Sequence, residues 1–310
     1  MKQEETEMNL EFYNQLIQVI DKTLVLLDEP MSKHTTFRVG GPADYFVMPK
    51  SVDDVKHVVA LCKEFQMPYY VLGNGSNLLV GDKGYRGVVI QIYKEMNQIQ
   101  VEGEVIRAQA GALLSKVGAV ALEKELAGFE FGAGIPGTVG GAVVMNAGAY
   151  GGEMKDVLIS ATVLTKEGMV LKLSNEELEL GYRTSIVAKK GYIVLEAEYQ
   201  LKQGKTEDIR ERMNELKIQR TTKQPLEYPS AGSTFKRPEG YFAGKLIQDA
   251  GLRGFRIGGA QVSEKHCGFV INLGDATAAD VDELIKQVAE KVKSTFGVSL
   301  EPEVKRLGDF

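Results

Sequence analysis

Two stretches of the 310-residue chain concentrate residues whose backbone could do chemistry: LGNGSNLLVG at 72–81, and GFEFGAGIPGTVGGAVVMNAGAYGG at 128–152, which carries nine glycines in 25 residues. Glycine at that density costs backbone entropy, so it usually answers a geometric need. One such need is a row of backbone N–H groups turned toward a phosphate, because a chain without Cβ atoms can approach an anion closely and adopt positive φ. Two loops of this kind suit two phosphates, and a diphosphate is the expected ligand. A pair of tight turns is the purely structural alternative.

The second stretch contains Gly132-Ala133-Gly134-Ile135-Pro136-Gly137, a literal GxGxxG. That dinucleotide fingerprint should close a strand and open a long helix. Here Pro136 interrupts it, and the following residues are too rich in glycine for a crossover helix, each internal glycine costing about 1 kcal/mol against alanine. GNGSN lacks the GK[ST] ending of a nucleotide-hydrolysing loop and reads as a link between two strands.

Other chemistries find little support. Cys62 and Cys267 belong to no CxxC pair and are expected to be reduced core residues, which fits the cytosol. His34, His57 and His266 have no paired spacing that would hold a metal, so none is expected; His57 reads as a helix-surface residue, and His266 is a candidate to lie near a substrate. A net charge of -5 and a pI near 5.5 argue against a nucleic-acid protein. No run approaches the ~18 apolar residues of a membrane span, and the acidic start MKQEETEMNLEFYNQL lacks a signal-like apolar core. A cytoplasmic monomer is the expectation.

Around the loops, the spacing predicts an α+β fold. Leu10, Tyr13, Leu16, Ile17 and Ile20 share one face of a helix over about 9–20. Ser51 opens a second helix, with Val55, Val58, Val59 and Cys62 inward and Pro68 beyond its end, and YYVL at 69–72 follows as a strand. A helix from Leu113 to Leu126 is expected to stop at Gly128. ATVLT and MVLKL form a hairpin around Lys166-Glu167-Gly168, and 192–200 is a strand. A charged helix over 206–219 carries the apolar stripe Ile209, Met213 and Leu216, and the last helix runs from an N-cap at Thr277 to a stop at Gly297. A domain boundary falls near 203–206, ahead of the charged helix.

TTFRVGGPA, LGNGSNLL, GIPGTVGGAVVMNAGAYGGE, GYRTS, SAGSTFKRP and EPEV occur in that order from Thr35 to Val304. Together they resemble the UDP-N-acetylenolpyruvoylglucosamine reductases, bacterial enzymes of cell-wall peptidoglycan precursor synthesis. The resemblance implies, after an N-terminal tail and helix (1–30), an FAD-binding domain of the vanillyl-alcohol oxidase (PCMH) type (31–203, two subdomains with a break near 84) and a separate C-terminal α+β substrate domain (204–310) whose last strand, 299–307, returns to the active site. The short stretch 233–262 leaves no room for the extra tyrosine-bearing loop of one subtype, so the chain resembles the shorter one.

The resemblance also implies residue roles. Gly73, Asn74, Gly75, Ser76 and Asn77 in the first loop would bind FAD, as would Gly134, Pro136, Gly137, Thr138, Gly140, Gly141, Asn146 and Ala147 in the second. NADPH would reduce the flavin, and hydride would pass from its N5 to the enolpyruvyl methylene carbon, building charge into the substrate carboxylate. Arg183 of GYRTS would hold that carboxylate, its planar guanidinium being suited to bidentate contact. Ser233 of AGSTF would protonate the neighbouring carbon, and Glu303 of EPEV would stabilise the intermediate, which calls for a raised pKa or a partner. Tyr150, Tyr182, Lys223, Arg237 and Lys305 would contact the UDP-sugar. On residue type alone, Arg183 reads as a surface ion-pair residue and Ser233 as a turn serine.

Two other readings remain open. One is an FAD oxidase of the same fold acting on an alcohol or hydroxy acid, in which GYRTS, SAGSTF and EPEV would have no task. The other is a binding protein without turnover, against which the intact Arg183, Ser233 and Glu303 argue.

Overall fold

The computed structural model describes residues 9–310. The first helix, α1 (Leu10–Val19), is capped by Asn9, whose Oδ1 accepts the Phe12 N–H at 3.0 Å. Its inward face is Phe12, Leu16 and Ile20, with Tyr13 and Val19 beside them, while Leu10 is 61% exposed. The expected stripe is thus rotated: the Phe12 ring meets Tyr45 and Phe65 edge-on, at 5.0 and 5.6 Å, and this large aromatic surface decides which side turns in.

Five strands follow: β1 (Val25–Pro30), β2 (Pro42–Val47), β3 (Tyr69–Leu72), β4 (Leu78–Val80) and β5 (Tyr85–Gln91). Four of them make one sheet, ordered β1-β2-β5-β3. Two expected boundaries therefore shift. Residues 25–30 are the edge of this sheet and no separate N-terminal piece, and a break near 84 would strip away the strand that joins β2 to β3. Helix α2 (Val52–Glu64) lies between β2 and β3, with Ser51 as its cap and Val55, Val58, Val59 and Cys62 buried as the spacing predicted.

A second sheet has the order β12-β11-β13-β7-β6, built from β6 (Ile99–Glu102), β7 (Val105–Gln109), β11 (Leu158–Leu164), β12 (Val170–Ser174) and β13 (Ile193–Gln200). The hairpin around Lys166-Glu167-Gly168 is β11–β12. Helix α3 (Leu114–Glu123) ends earlier than expected: Glu125, at φ +57°, turns the chain, and β8 (Leu126–Ala127) already precedes Gly128. Helix α4 (Val139–Met145), the hairpin β9 (Gly148–Ala149) and β10 (Gly152–Glu153), and helix α5 (Ile186–Lys190) sit beside this sheet.

The chain leaves through β14 (Lys202–Gln203), paired with β8, and enters α6 (Thr206–Lys223). The last part packs α7 (Ala243–Asp249) and α8 (Ala278–Phe296) on a small sheet of β15 (Arg256–Ile257), β16 (Ala260–Val262) and β17 (Val270–Asn272). Helix α8 starts in a capping box between Thr277 and Asp280 and stops at Gly297 in the left-handed region, so both expected ends hold. This core also takes in Phe37, Val39 and Leu79 from the N-terminal part. Finally, β18 (Lys305–Leu307) pairs in parallel with β4, the strand leaving the first glycine loop.

Candidate active site

The first glycine loop joins β3 to β4, and its shape depends on glycine at two points. A Cβ on Gly73 would run into the Thr138 hydroxyl of the second loop; one on Gly75, at φ +65°, would strike the His34 carbonyl. The two loops therefore touch. The backbone N–H groups of Asn74, Gly75, Ser76 and Asn77 have no acceptor among the described residues. Main-chain donors are rarely left orphaned, so such a row could hold an anion.

The second loop differs from expectation. The N–H groups of Gly137, Gly140, Asn146 and Ala147 donate to backbone carbonyls, and that of Gly141 to the Thr138 hydroxyl at 3.4 Å. The Gly137 bond closes a turn before the short helix α4, the Gly140 bond ties α4 to the Ala110 carbonyl, and the other bonds close the two ends of α4, so the glycines mainly allow close packing: a Cβ on Gly140 would press on Ala110. Thr138 is the N-cap of α4, Pro136 has no N–H to give, and Gly134 is gripped through its carbonyl by Arg220 of α6. The row of free donors is in the first loop.

Arg183 is held in a tight turn. Gly181 and Thr184 exchange both backbone hydrogen bonds, at 3.1 and 3.3 Å, and Arg183 occupies the second central position at φ +54°. Glycine is the usual residue there, and a side chain in the left-handed region costs on the order of 1 kcal/mol. The turn is tied to the end of α4 twice: Asn146 Nδ2 donates to the Gly181 carbonyl at 3.2 Å, and the buried Ser185 hydroxyl donates to the Val144 carbonyl at 2.7 Å.

Ser233 and Glu303 come together through backbone pairing. Thr234, fully buried, donates its N–H to the Gly268 carbonyl at 2.8 Å and accepts the Val270 N–H on its hydroxyl at 2.9 Å. Its carbonyl accepts the Glu303 N–H at 2.8 Å, and Lys236 N–H bonds the Glu301 carbonyl at 2.9 Å. With Thr234 turned inward, its neighbour Ser233 is exposed to the cavity beside Glu303.

Arg183, Ser233 and Glu303, separated by up to 120 residues in sequence, line one cavity of ≈ 380 Å³ with Tyr182, Phe242 and Arg237. Arg183 Nε lies 2.8 Å from Glu303 Oε1, although Nε makes no well-aligned hydrogen bond, so the contact is chiefly ionic. Burial pushes the Glu303 carboxyl up from its ordinary value, against the opposing pull of Arg183, Lys236 and Lys305. The upward direction expected for this group is thus present, and so is the partner. Across the cavity, burial lowers the pKa of His266, whose Nδ1 accepts the Gly268 N–H at 3.1 Å.

Of the expected substrate contacts, Tyr182 and Arg237 line the cavity: the Tyr182 hydroxyl accepts the Arg237 backbone N–H at 3.0 Å, and the Arg237 guanidinium lies 4.0 Å from the centre of the Phe242 ring. A second cavity of ≈ 470 Å³ shares Tyr182 and Arg237 and adds Tyr241 and Lys236. Lys223 is exposed at the end of α6, and Lys305 is exposed on β18; neither lines these cavities. Tyr150 sits at the tip of the β9–β10 hairpin, its ring 5.8 Å from the Arg220 guanidinium. His57 is exposed on α2, as expected. Lys245, Arg253, Lys265 and Phe242 line the first cavity without any motif having marked them. Only the pairing of distant segments could have found them.

Comparisons with known proteins place these features in context. A family profile described as the C-terminal domain of UDP-N-acetylenolpyruvoylglucosamine reductase matches residues 224–307, and one described as an FAD binding domain matches 43–174. The UDP-N-acetylenolpyruvoylglucosamine reductase of Alkaliphilus oremlandii is 55% identical over 97% of this chain and 99% of its own length. The crystal structure of the UDP-N-acetylenolpyruvylglucosamine reductase from Thermus caldophilus aligns with TM-score 0.79 at 38% identity, covering 92% of this chain and 98% of that one. Phl p 4.0202, a glucose dehydrogenase, aligns with TM-score 0.50 at 16% identity over 63% of this chain and 44% of its own, a likeness of fold alone.

Proposed function

Since this chain belongs to the UDP-N-acetylenolpyruvoylglucosamine reductase family, we propose that the cavity between Arg183, Ser233 and Glu303 is where it reduces the enolpyruvyl group of a UDP-sugar. The protein is an FAD-containing oxidoreductase of peptidoglycan precursor synthesis. The observation that carries the site is the convergence of those three residues, from three remote segments, on one wall of one cavity.

The residues fit the cofactor and the substrate. The acceptorless N–H row of the first loop suits the FAD diphosphate, and Thr138 and the Gly134 turn close the cradle from the other side. Bound there, FAD would supply the hydride, taken from NADPH, for the enolpyruvyl methylene carbon. The chain's own residues do the rest. Arg183 holds the substrate carboxylate and stabilises the negative charge that grows there. Burial pushes the Glu303 carboxyl towards its neutral form, and in that form it would donate a hydrogen bond to the same carboxylate without adding a negative charge. Ser233 gives its hydroxyl proton to the carbon that bears the carboxylate and regains one from solvent. Hydride and proton together saturate one carbon–carbon double bond, giving UDP-N-acetylmuramate.

The larger part of the substrate needs room beyond the catalytic trio. Tyr182 and Arg237, shared by the two cavities, are the residues we read as flanking the UDP portion; Lys223, Lys305 and Tyr150 line neither cavity. The reading is tested by giving FAD-loaded protein NADPH and UDP-N-acetylglucosamine enolpyruvate. The expected result is NADPH consumption matched by a product heavier by two hydrogens. Flavin turnover with an alcohol and dioxygen, and none with the enolpyruvyl compound, would make this chain an oxidase of the same fold.

A further inference from the structure

Asn146 falls in the second glycine loop, where the motif suggests a flavin ligand, yet its side chain is 1% exposed and every polar atom of it is engaged within the protein. Nδ2 donates to Glu153 Oε2 at 2.8 Å and to the Gly181 carbonyl at 3.2 Å, while Oδ1 accepts the Lys155 N–H at 3.0 Å. It leaves no donor for a cofactor and grips the turn that presents Arg183.

Asn77 ends the first loop in a comparable way. Its Nδ2 donates to the Glu303 carbonyl at 3.1 Å and to Met145 Sδ, in α4, at 3.2 Å; its own carbonyl accepts the Lys305 N–H at 3.0 Å. Asn77 thus holds the chain at the Glu303 carbonyl and two residues beyond it, while the Glu303 N–H is held by Thr234.

We propose that Asn146 and Asn77 are positioning residues, each closing one glycine loop and fixing one member of the Arg183–Glu303 pair, so that the two cofactor loops also set the catalytic charges. The proposal rests on the reading of that pair as catalytic, and deepens it. The physical reason is local: Arg183 is held at positive φ, a conformation that relaxes unless its surroundings enforce it. Asn146, at φ +44°, shares this left-handed conformation, so it serves at once as the stop of α4 and as the brace.

Asn146→Gly separates these two tasks, because glycine keeps the left-handed helix stop and removes only the side chain. Asn77→Ala tests the other brace. Both substitutions remove a side chain bonded only within the protein and leave the backbone N–H row of the first loop in place, so FAD and its reduction by NADPH should be retained, while turnover of the enolpyruvyl substrate falls on the order of 10- to 100-fold, the loss expected for a misplacement of about 1 Å. A readout independent of activity is the Glu303 titration, followed by ¹³C NMR of selectively labelled protein. Arg183, Lys236 and Lys305 hold it down, and loosening Arg183 alone should move it upward in Asn146→Gly. Loss of FAD together with turnover would make these asparagines cofactor ligands and overturn the proposal, as would a wild-type titration and rate in both variants. A wild type unable to reduce the enolpyruvyl compound would refute the function instead, and the titration would still decide the brace.

Discussion

At the scale of single residues, the site combines a permanent cation, a buried acid and a hydroxyl. Ser233→Ala removes the proposed proton donor and keeps the backbone pairing of Thr234, so a loss of about 10²–10⁴-fold in kcat is expected, with NADPH-driven flavin reduction intact; a single-turnover assay in D₂O reads both steps. Glu303 titrates above its ordinary value because burial outweighs Arg183. Its acid form, the one able to donate to the substrate, is present below that raised pKa and disappears as pH rises through it. kcat should therefore fall on the alkaline side of this pKa, and Glu303→Gln should flatten that limb; a wild-type profile identical to the variant's would remove Glu303 from the proton inventory. Arg183 and Ser233 could be singled out in the sequence only by the company of GYRTS and SAGSTF. As isolated residues, nothing distinguished them from a surface arginine and a turn serine.

At the scale of elements, the glycine loops show how far a motif carries. Gly75 is needed for its positive φ and its contact with the His34 carbonyl. Gly75→Ala should leave a folded protein that no longer retains FAD, measured by flavin absorbance after desalting. The second loop suggests a matching row of amides, but local turns, the Ala110 and Ala112 carbonyls and the caps of α4 take up several of them. Sequence revealed the glycines but not whether each N–H was already bonded. The second sheet offers a separate test. Glu198 of β13 accepts from Ser160 of β11 at 2.8 Å and pairs with Lys172 of β12 at 2.6 Å and Arg107 of β7 at 2.8 Å, which holds its carboxyl down to about 2. A depressed carboxyl stabilises the fold above its unfolded pKa, and that contribution is lost as pH falls from about 4.5 towards 2. Glu198→Gln should destabilise by about 2 kcal/mol at pH 7 and by less at pH 3, in urea titrations.

At the scale of the whole molecule, the N-terminal and C-terminal parts are joined by polar contacts as well as by shared core. Asp82 accepts the N–H groups of Ala278 and Ala279 at 2.8 and 3.0 Å, capping α8 from the other part, and the buried Asn272 donates to the Phe37 carbonyl at 2.9 Å. A ligand held by one part should thus stabilise both. FAD at 100 times its dissociation constant should add about 2.7 kcal/mol, seen as one cooperative melting transition at higher temperature; two transitions, of which only one responds, would refute this coupling. We also read the protein as a monomer, and light scattering should give a single species near 34 kDa. Among the described residues no helix is long and apolar enough to cross a membrane.

By itself the sequence determined the local structure with a local cause: the caps at Ser51 and Thr277, the hairpin around Gly168, the strand–loop–strand at Gly73 to Asn77, and through its ordered motifs the family; the same motifs singled out Arg183, Ser233 and Glu303, which line one cavity. It misplaced features that depend on competition between distant surfaces, such as the rotation of α1 toward Phe12 and the sheet that runs through position 84. Only the tertiary structure decided that β18 returns to β4, that Asn146 serves the Arg183 turn, and that Lys245, Arg253 and Lys265 face the cavity. The reason is physical. Caps and turns are settled by interactions within a few residues, whereas burial and pairing depend on which remote segment offers the complementary surface.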